Sequence, residues 1–116
     1  MTTNSNYLWL LDPGHGGTKN GRYVTNPHKR HVFDDGFTIN EGEVNREITL
    51  VLERCLAMDE IAYKTIPSWQ DDTPLASRVA LADKLFETNR NAIYLSIHSN
   101  WSNPCGKGNE IYTFRS

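Results

Sequence analysis

Apolar residues along the chain fall into two patterns that predict different elements. Short, continuous apolar runs that end at proline, glycine or polar residues are typical of buried strands. Longer stretches with apolar residues three and four positions apart are typical of helices that bury one face. Strands are predicted at Tyr7–Asp12, Ile61–Ile66, Ala92–His98 and Gly108–Phe114, and helices are predicted at Glu41–Met58 and from Leu75 to about Thr88.

The first helix is predicted to begin after Asn40, a suitable N-cap residue, with acidic residues in its first turn. The second is predicted to begin with Thr73 as N-cap and Pro74 at the first helical position. The apolar faces consist of Val44, Ile48, Val51, Leu52, Cys55 and Leu56 in the first helix and Leu75, Val79, Ala82 and Phe86 in the second. Alternating strands and helices predict a single α/β domain with a mixed, mostly parallel sheet flanked by helices.

A long polar segment, from Gly14 to Asn40, separates the first strand from the first helix. Loops of this length are uncommon and are usually functional or mobile, so we expect a mobile loop beside the strand end. It contains His28 and His31 close to Asp34 and Asp35, a pattern that could bind a second metal. A solvated loop over a substrate groove is the favoured interpretation.

Composition limits the classes of function. The chain has 116 residues, the size of one domain, and a formal net charge of −2, which argues against nucleic-acid binding. No apolar run is long enough to span a membrane, and no signal peptide is visible. Cys55 and Cys105 do not form a Cys-x-x-Cys pair, so both are expected to be reduced and structural.

Three potential metal ligands are predicted to lie at one edge of the sheet. His15 follows the first strand, His98 ends the third, and Glu41 opens the helix that precedes the second strand. Each residue alone has an ordinary interpretation: a loop residue, a structural histidine, or an acid that favours a helix N-terminus. Together, two histidines and one glutamate form a known catalytic zinc ligand set. Asp12 could either hydrogen-bond a ligand histidine or cap the loop.

Three motifs resemble those of a known family, the zinc-dependent N-acetylmuramoyl-L-alanine amidases of the Amidase_3 type. Asp12–Gly17 reads Asp-Pro-Gly-His-Gly-Gly, the family's opening motif. Glu41–Asn45 matches its helix-start motif, and Ser96–Asn100 matches its strand-end Ser-Ile-His motif. The resemblance runs from Leu8 to Tyr112, with a further match at Arg78, Val79 and Ala82 in the second helix.

The resemblance implies a phosphorylase/hydrolase-like amidase fold and a zinc ion held by His15, Glu41 and His98. It implies hydrolysis of the amide between N-acetylmuramic acid and L-alanine in peptidoglycan. Asp12, Asn100 and Arg78 are expected to support the ligands or the substrate. Because arginine keeps its proton at working pH, Arg78 is expected to be structural or to orient a substrate carboxylate rather than to act as a base.

The family's general base is a glutamate on a later strand, which we expect beyond Ser116. Residues 1–116 are therefore expected to form the N-terminal two-thirds of one catalytic domain, to bind zinc, and to hydrolyse peptidoglycan poorly alone. Glu43 and Glu110 are the nearest carboxylates by position, although neither is assigned as the base.

Two alternatives stay open at this point. One is a zinc- or muropeptide-binding domain without catalysis, and the other is a structural α/β domain without metal. The lack of a visible signal peptide favours a phage or prophage lysin. An unpaired sheet edge is expected to favour self-association.

Overall fold

The computed structural model describes residues 6–25, 29–100 and 108–113. These residues form seven strands and two helices. In chain order they are β1 (Leu8–Pro13), β2 (Thr18–Lys19), β3 (Arg22–Tyr23), β4 (Arg30–Val32), β5 (Thr38–Asn40), α1 (Glu41–Met58), β6 (Tyr63–Thr65), α2 (Leu75–Thr88) and β7 (Ala92–Ile97).

A three-stranded parallel sheet in the order β6-β1-β7 forms the centre of the molecule. The most deeply buried strand, β1, is central, and its Leu10 and Leu11 are 2% and 0% exposed. Helix α1 packs against β1, and α2 packs against β7. The predicted α/β fold with a parallel sheet and two helices is confirmed. Because β1 and β7 run in the same direction, with Pro13 opposite Ile97, both end at the same edge.

Helix α1 has the predicted bounds and the predicted N-cap, Asn40. Its buried face, however, is not the apolar stripe, since Ile48 and Val51 are 46% and 59% exposed. The helix instead buries Gly42, Asn45, Arg46 and Thr49. The expectation of an apolar core face was wrong here because the helix lies over backbone carbonyls of the turn after β1, which need hydrogen-bond donors rather than methyl groups.

Helix α2 begins at Leu75, with Pro74 rather than Thr73 as the N-cap residue. Its predicted apolar face is also largely exposed, and Leu75 is 73% exposed. Arg78 is the one residue of this helix that is buried. The physical reason is the same as in α1, because the side of the helix that meets the sheet edge supplies a guanidinium to backbone carbonyls.

The segment from Gly14 to Asn40 was predicted to be an irregular loop, and its described part contains two antiparallel ribbons instead. In the first, β2–β3, residues Asn20 and Gly21 form a two-residue turn with φ of 52° and 75°. The second, β4–β5, is closed by a turn in which the Gly36 N–H donates to the Phe33 carbonyl. An Asn-Gly pair is a strong hairpin signal, so the first ribbon was recognisable from the sequence.

The predicted fourth strand, at Gly108–Phe114, is not formed by residues 108–113, which have no regular structure and are exposed. Phe114 lies outside the described residues. A strand needs a neighbour for its backbone hydrogen bonds, and no described residue provides one to this segment. Cys55, predicted to be reduced and structural, is a free thiol on an exposed position, and Cys105 lies outside the described residues. No helix among the described residues has the length and apolar character needed to cross a bilayer.

Candidate metal centre

Side chains of His15, Glu41 and His98 converge at the edge where β1 and β7 end. One potential ligand atom from each lies within 4.8 Å of those of the other two. Nε2 of His15 is 3.3 Å from Oε2 of Glu41, and Nδ1 of His98 is 3.3 Å from Oε1 of the same carboxylate. The two imidazole rings are perpendicular, with centroids 5.1 Å apart. The three residues chosen from the sequence are therefore brought together.

Each of the three residues owes its place to an element boundary. His15 lies two residues after β1, His98 directly follows β7, and Glu41 is the first residue of α1. His15 has a φ of 59°, a left-handed conformation that is unusual for a residue with a side chain. Gly14 leaves room for the other histidine, since a Cβ at this position would overlap the His98 ring.

Two buried arginines hold the backbone of His15. Nη2 of Arg46 and Nη2 of Arg78 donate to the His15 carbonyl at 2.9 Å and 2.8 Å. Arg46 also donates to the carbonyls of Gly14, Gly42, Ser68 and Trp69. Burial, together with the nearby charge of Arg78, lowers the pKa of Arg46. The two arginines thus fix the turn that holds His15 in its left-handed conformation.

Asp12 binds Arg78 rather than a histidine. Its Oδ1 accepts a hydrogen bond from Nη1 of Arg78 at 2.5 Å, and its Oδ2 accepts from Ser96 at 3.1 Å and from the Tyr94 hydroxyl. Burial, and then the hydrogen bond to Asp12, raise the pKa of Tyr94. In the structure, Asp12 therefore does not orient a ligand histidine, because its carboxylate oxygens accept hydrogen bonds from Arg78, Tyr94 and Ser96.

Asn45 and Ser99 hold Glu41 from the other side. Asn45 Nδ2 donates to the Gly14 carbonyl at 3.2 Å, and its Oδ1 accepts from the Ser99 hydroxyl at 2.9 Å. The backbone N–H of Ser99 donates to Oε1 of Glu41 at 3.2 Å. Sequence reasoning recognised both residues only as motif members. The signal for Asn45 was its spacing, one helical turn after Glu41.

The remaining residues singled out from the sequence lie around this centre or away from it. Asn100 donates from Nδ2 to Glu110 Oε2 at 3.4 Å. Glu43 accepts hydrogen bonds from Thr18 and Asn40 and is not part of the cluster. His31 packs edge-on against Phe33, with ring centroids 4.5 Å apart. His28 lies outside the described residues, and the described residues form no second metal-ligand cluster beside His31.

Electrostatics favour the neutral form of His15. Burial is the largest cause of the lowered pKa of His15, and the charge of His98 acts in the same direction, whereas Glu41 opposes it. Neutral imidazole is the form of histidine that binds metal ions. Two histidines and one glutamate are a known ligand set of catalytic zinc sites.

A family described as N-acetylmuramoyl-L-alanine amidase, Amidase_3, matches residues 10–116. The chain belongs to this family, which confirms the resemblance found in its motifs. No curated protein and no solved structure gives a significant match. Members of the family are typically metal-dependent, and a peptidoglycan substrate fits the family's activity. The chain is therefore an N-acetylmuramoyl-L-alanine amidase by family.

Proposed function

We propose that the chain hydrolyses the amide between N-acetylmuramic acid and L-alanine with a zinc ion held by His15, Glu41 and His98. The convergence of the three side chains carries this proposal. Zinc ligands about 2.0–2.1 Å from one tetrahedral ion lie about 3.3 Å from each other. Nε2 of His15 lies 3.3 Å from Oε2 of Glu41, and Nδ1 of His98 lies 3.3 Å from Oε1. One ligand atom from each residue lies within 4.8 Å of the other two, so the three residues supply suitable donors close enough to converge on one ion.

The chain's own residues orient the ligands. Arg46 and Arg78 fix the His15 backbone, and Ser99 fixes one oxygen of Glu41. The His98 side chain is 44% exposed, so substrate can approach the centre from its side. Bound zinc would supply Lewis acidity, lowering the pKa of a water molecule and polarising the scissile carbonyl.

A zinc- or muropeptide-binding domain without catalysis is the second candidate. It is favoured by the composition of the cluster, which contains Glu41 and no second carboxylate among the described residues. A general base takes a proton from water and passes it to the leaving amine, and the absence of this group typically costs about 10²–10⁴-fold in rate. The role of phage or prophage lysin stays a prediction from the sequence.

Metal content and wall hydrolysis test the two candidates together. Protein purified without chelator is expected to contain one zinc per chain, and His98→Ala is expected to lose more than half of it. His31→Ala serves as the matched control for zinc content alone, because His31 lies on the ribbon beside the site and belongs to no ligand cluster. Equal zinc in wild type and His98→Ala would refute the ligand assignment. Zinc binding without release of soluble fragments from purified cell wall would favour the binding domain.

A further inference from the structure

A cleft of about 720 Å³ lies between the β4–β5 ribbon and the end of β7, and it opens beside the proposed metal centre. Glu41 forms part of its wall, so the cleft and the ligand cluster share a residue. The other residues that line it are Lys29, Arg30, His31, Phe33, Ile39, Ser99 and Asn100.

The cleft wall is rich in positive charge. Lys29 and Arg30 contribute two cations, and Glu41, which faces the two histidines, is its single carboxylate. Within the described part of the chain, neither Lys29 nor Arg30 forms an ion pair, whereas Lys19 pairs with Asp71 and Arg78 pairs with Asp12. Unpaired cations in a concave site favour an anionic ligand.

A backbone hydrogen bond places the basic start of the ribbon beside the proposed metal centre. The backbone N–H of Glu41 donates to the carbonyl of Lys29 at 2.8 Å, so the basic start of β4 is tied to the first residue of α1. The opposite wall carries Ser99 and Asn100, which directly follow His98. Phe33 and Ile39 add apolar surface, and Ile39 is paired with His31 across the ribbon.

We propose that this cleft binds the stem peptide of peptidoglycan and that Lys29 and Arg30 recognise the free carboxylate of its second residue. The inference rests on the proposed amidase function. In a stem peptide that begins L-alanyl-D-glutamyl, L-alanine carries the scissile amide and the glutamyl residue follows it. Two extended residues span about 7 Å. With the scissile amide at the metal centre, that carboxylate would therefore lie near the start of the β4–β5 ribbon, which carries Lys29 and Arg30. Cells that amidate this carboxylate would present a weaker ligand.

Binding of a reaction product tests the cleft without requiring hydrolysis. The probe is the tripeptide L-alanyl-γ-D-glutamyl-L-lysine, in which the α-carboxylate of the glutamyl residue is free. It is compared by calorimetry with the same γ-linked peptide carrying D-isoglutamine, in which that carboxylate is an amide. The zinc-loaded wild-type chain is expected to bind the acidic peptide about fivefold more tightly, the scale of two exposed ion pairs. The double variant Lys29→Gln/Arg30→Gln is expected to bind both peptides with the same weak affinity.

A matched control removes two positive charges elsewhere. Arg22→Gln/Arg54→Gln changes exposed residues on β3 and α1 that do not line the cleft, and it is expected to keep the wild-type preference. Equal affinity of the wild type for the two peptides, or the same loss in the control, would overturn the proposal. Zinc content is measured on all samples. Failure of the metal centre would appear as wild-type protein without zinc, whereas failure of the cleft would appear as a lost peptide preference with zinc retained.

Discussion

Two residues of the turn after β1, Gly14 and His15, strongly restrict the geometry of the site. His15 takes a left-handed conformation, which costs of order 1–3 kcal/mol for a residue with a side chain. Gly14 allows the His98 ring to lie against its Cα. The hydrogen bonds from Arg46 and Arg78 offset the strain at the His15 carbonyl. The geometry of the ligand cluster therefore depends on residues that do not belong to it.

Gly14→Ala tests this dependence. The added methyl group would meet the His98 ring, so the ring must move and zinc content is expected to fall by at least half. Gly36→Ala is the control, since Gly36 has a φ of 87° but nothing within 4 Å of an added Cβ. The control is expected to lose some stability, from backbone strain, while it keeps its zinc. Full zinc occupancy in Gly14→Ala would contradict the packing described here.

Arg46 is expected to be important for stability although it has no carboxylate partner within the described part of the chain. Arg46→Met would leave the Trp69 and Ser68 carbonyls without this donor, and about 2–4 kcal/mol of unfolding free energy should be lost. Arg54→Met, on an exposed position of the same helix, should change the free energy of unfolding by less than about 0.5 kcal/mol. Urea denaturation measures both, and equal effects would contradict this role.

The sequence identified the three clustered side chains but missed Arg46. His15, Glu41 and His98 could be found because strand ends and helix starts place residues at a known edge of a parallel sheet. An arginine inside an amphipathic helix, in contrast, looks like an ordinary surface residue. Its burial depends on the path of Ser68 and Trp69, which no local pattern in the sequence reveals.

At the scale of elements, helix bounds were predictable and buried faces were not. Cap residues and charge are local signals, so Glu41–Met58 was found without error. The side on which a helix is buried depends on what it packs against. The described part of α1 meets backbone carbonyls, so Asn45 and Arg46 are buried while Ile48 and Val51 stay exposed. Apolar periodicity alone therefore gave the wrong face.

The β4–β5 ribbon is expected to open much more readily than the central sheet. Its strands have three residues each and its β4 residues are exposed, whereas Leu10 and Leu11 in β1 are almost fully buried. Amide hydrogen exchange should be fast in residues 30–40 and slow in β1 and β7. Equal protection of the ribbon and the sheet would show that the ribbon is a rigid wall of the cleft.

At the scale of the whole molecule, the sheet has two outer strands of different character. Among the described residues, β6 and β7 each pair only with β1. The β6 strand carries Lys64, a charge that discourages edge pairing, whereas β7 contains no charged residue. We therefore expect self-association through β7, as an unpaired edge predicts.

Sedimentation over a range of concentrations tests this association. Ile93→Lys introduces a charge on β7 and is expected to weaken association about tenfold, while circular dichroism checks that the chain stays folded. Ile48→Lys places the same charge on the exposed face of α1 and is expected to leave association unchanged. If only Ile48→Lys weakens association, the contact is made by the helix rather than by the sheet edge.

Because the apolar core is small, we expect a bound metal ion to contribute strongly to the stability of the chain. Within the described residues, the buried hydrophobic side chains are Leu10, Leu11 and Ile66, so burial alone gives modest stability. A zinc ion at the candidate centre would connect the turn after β1, the start of α1 and the end of β7. Free zinc at 100 times its dissociation constant would add about 2.7 kcal/mol, which corresponds to a rise of about 10 °C in melting temperature. The rise should be abolished by a chelator and absent in His98→Ala, and it should persist in His31→Ala. Equal zinc-induced shifts in the two variants would place the stabilising ion somewhere other than this cluster.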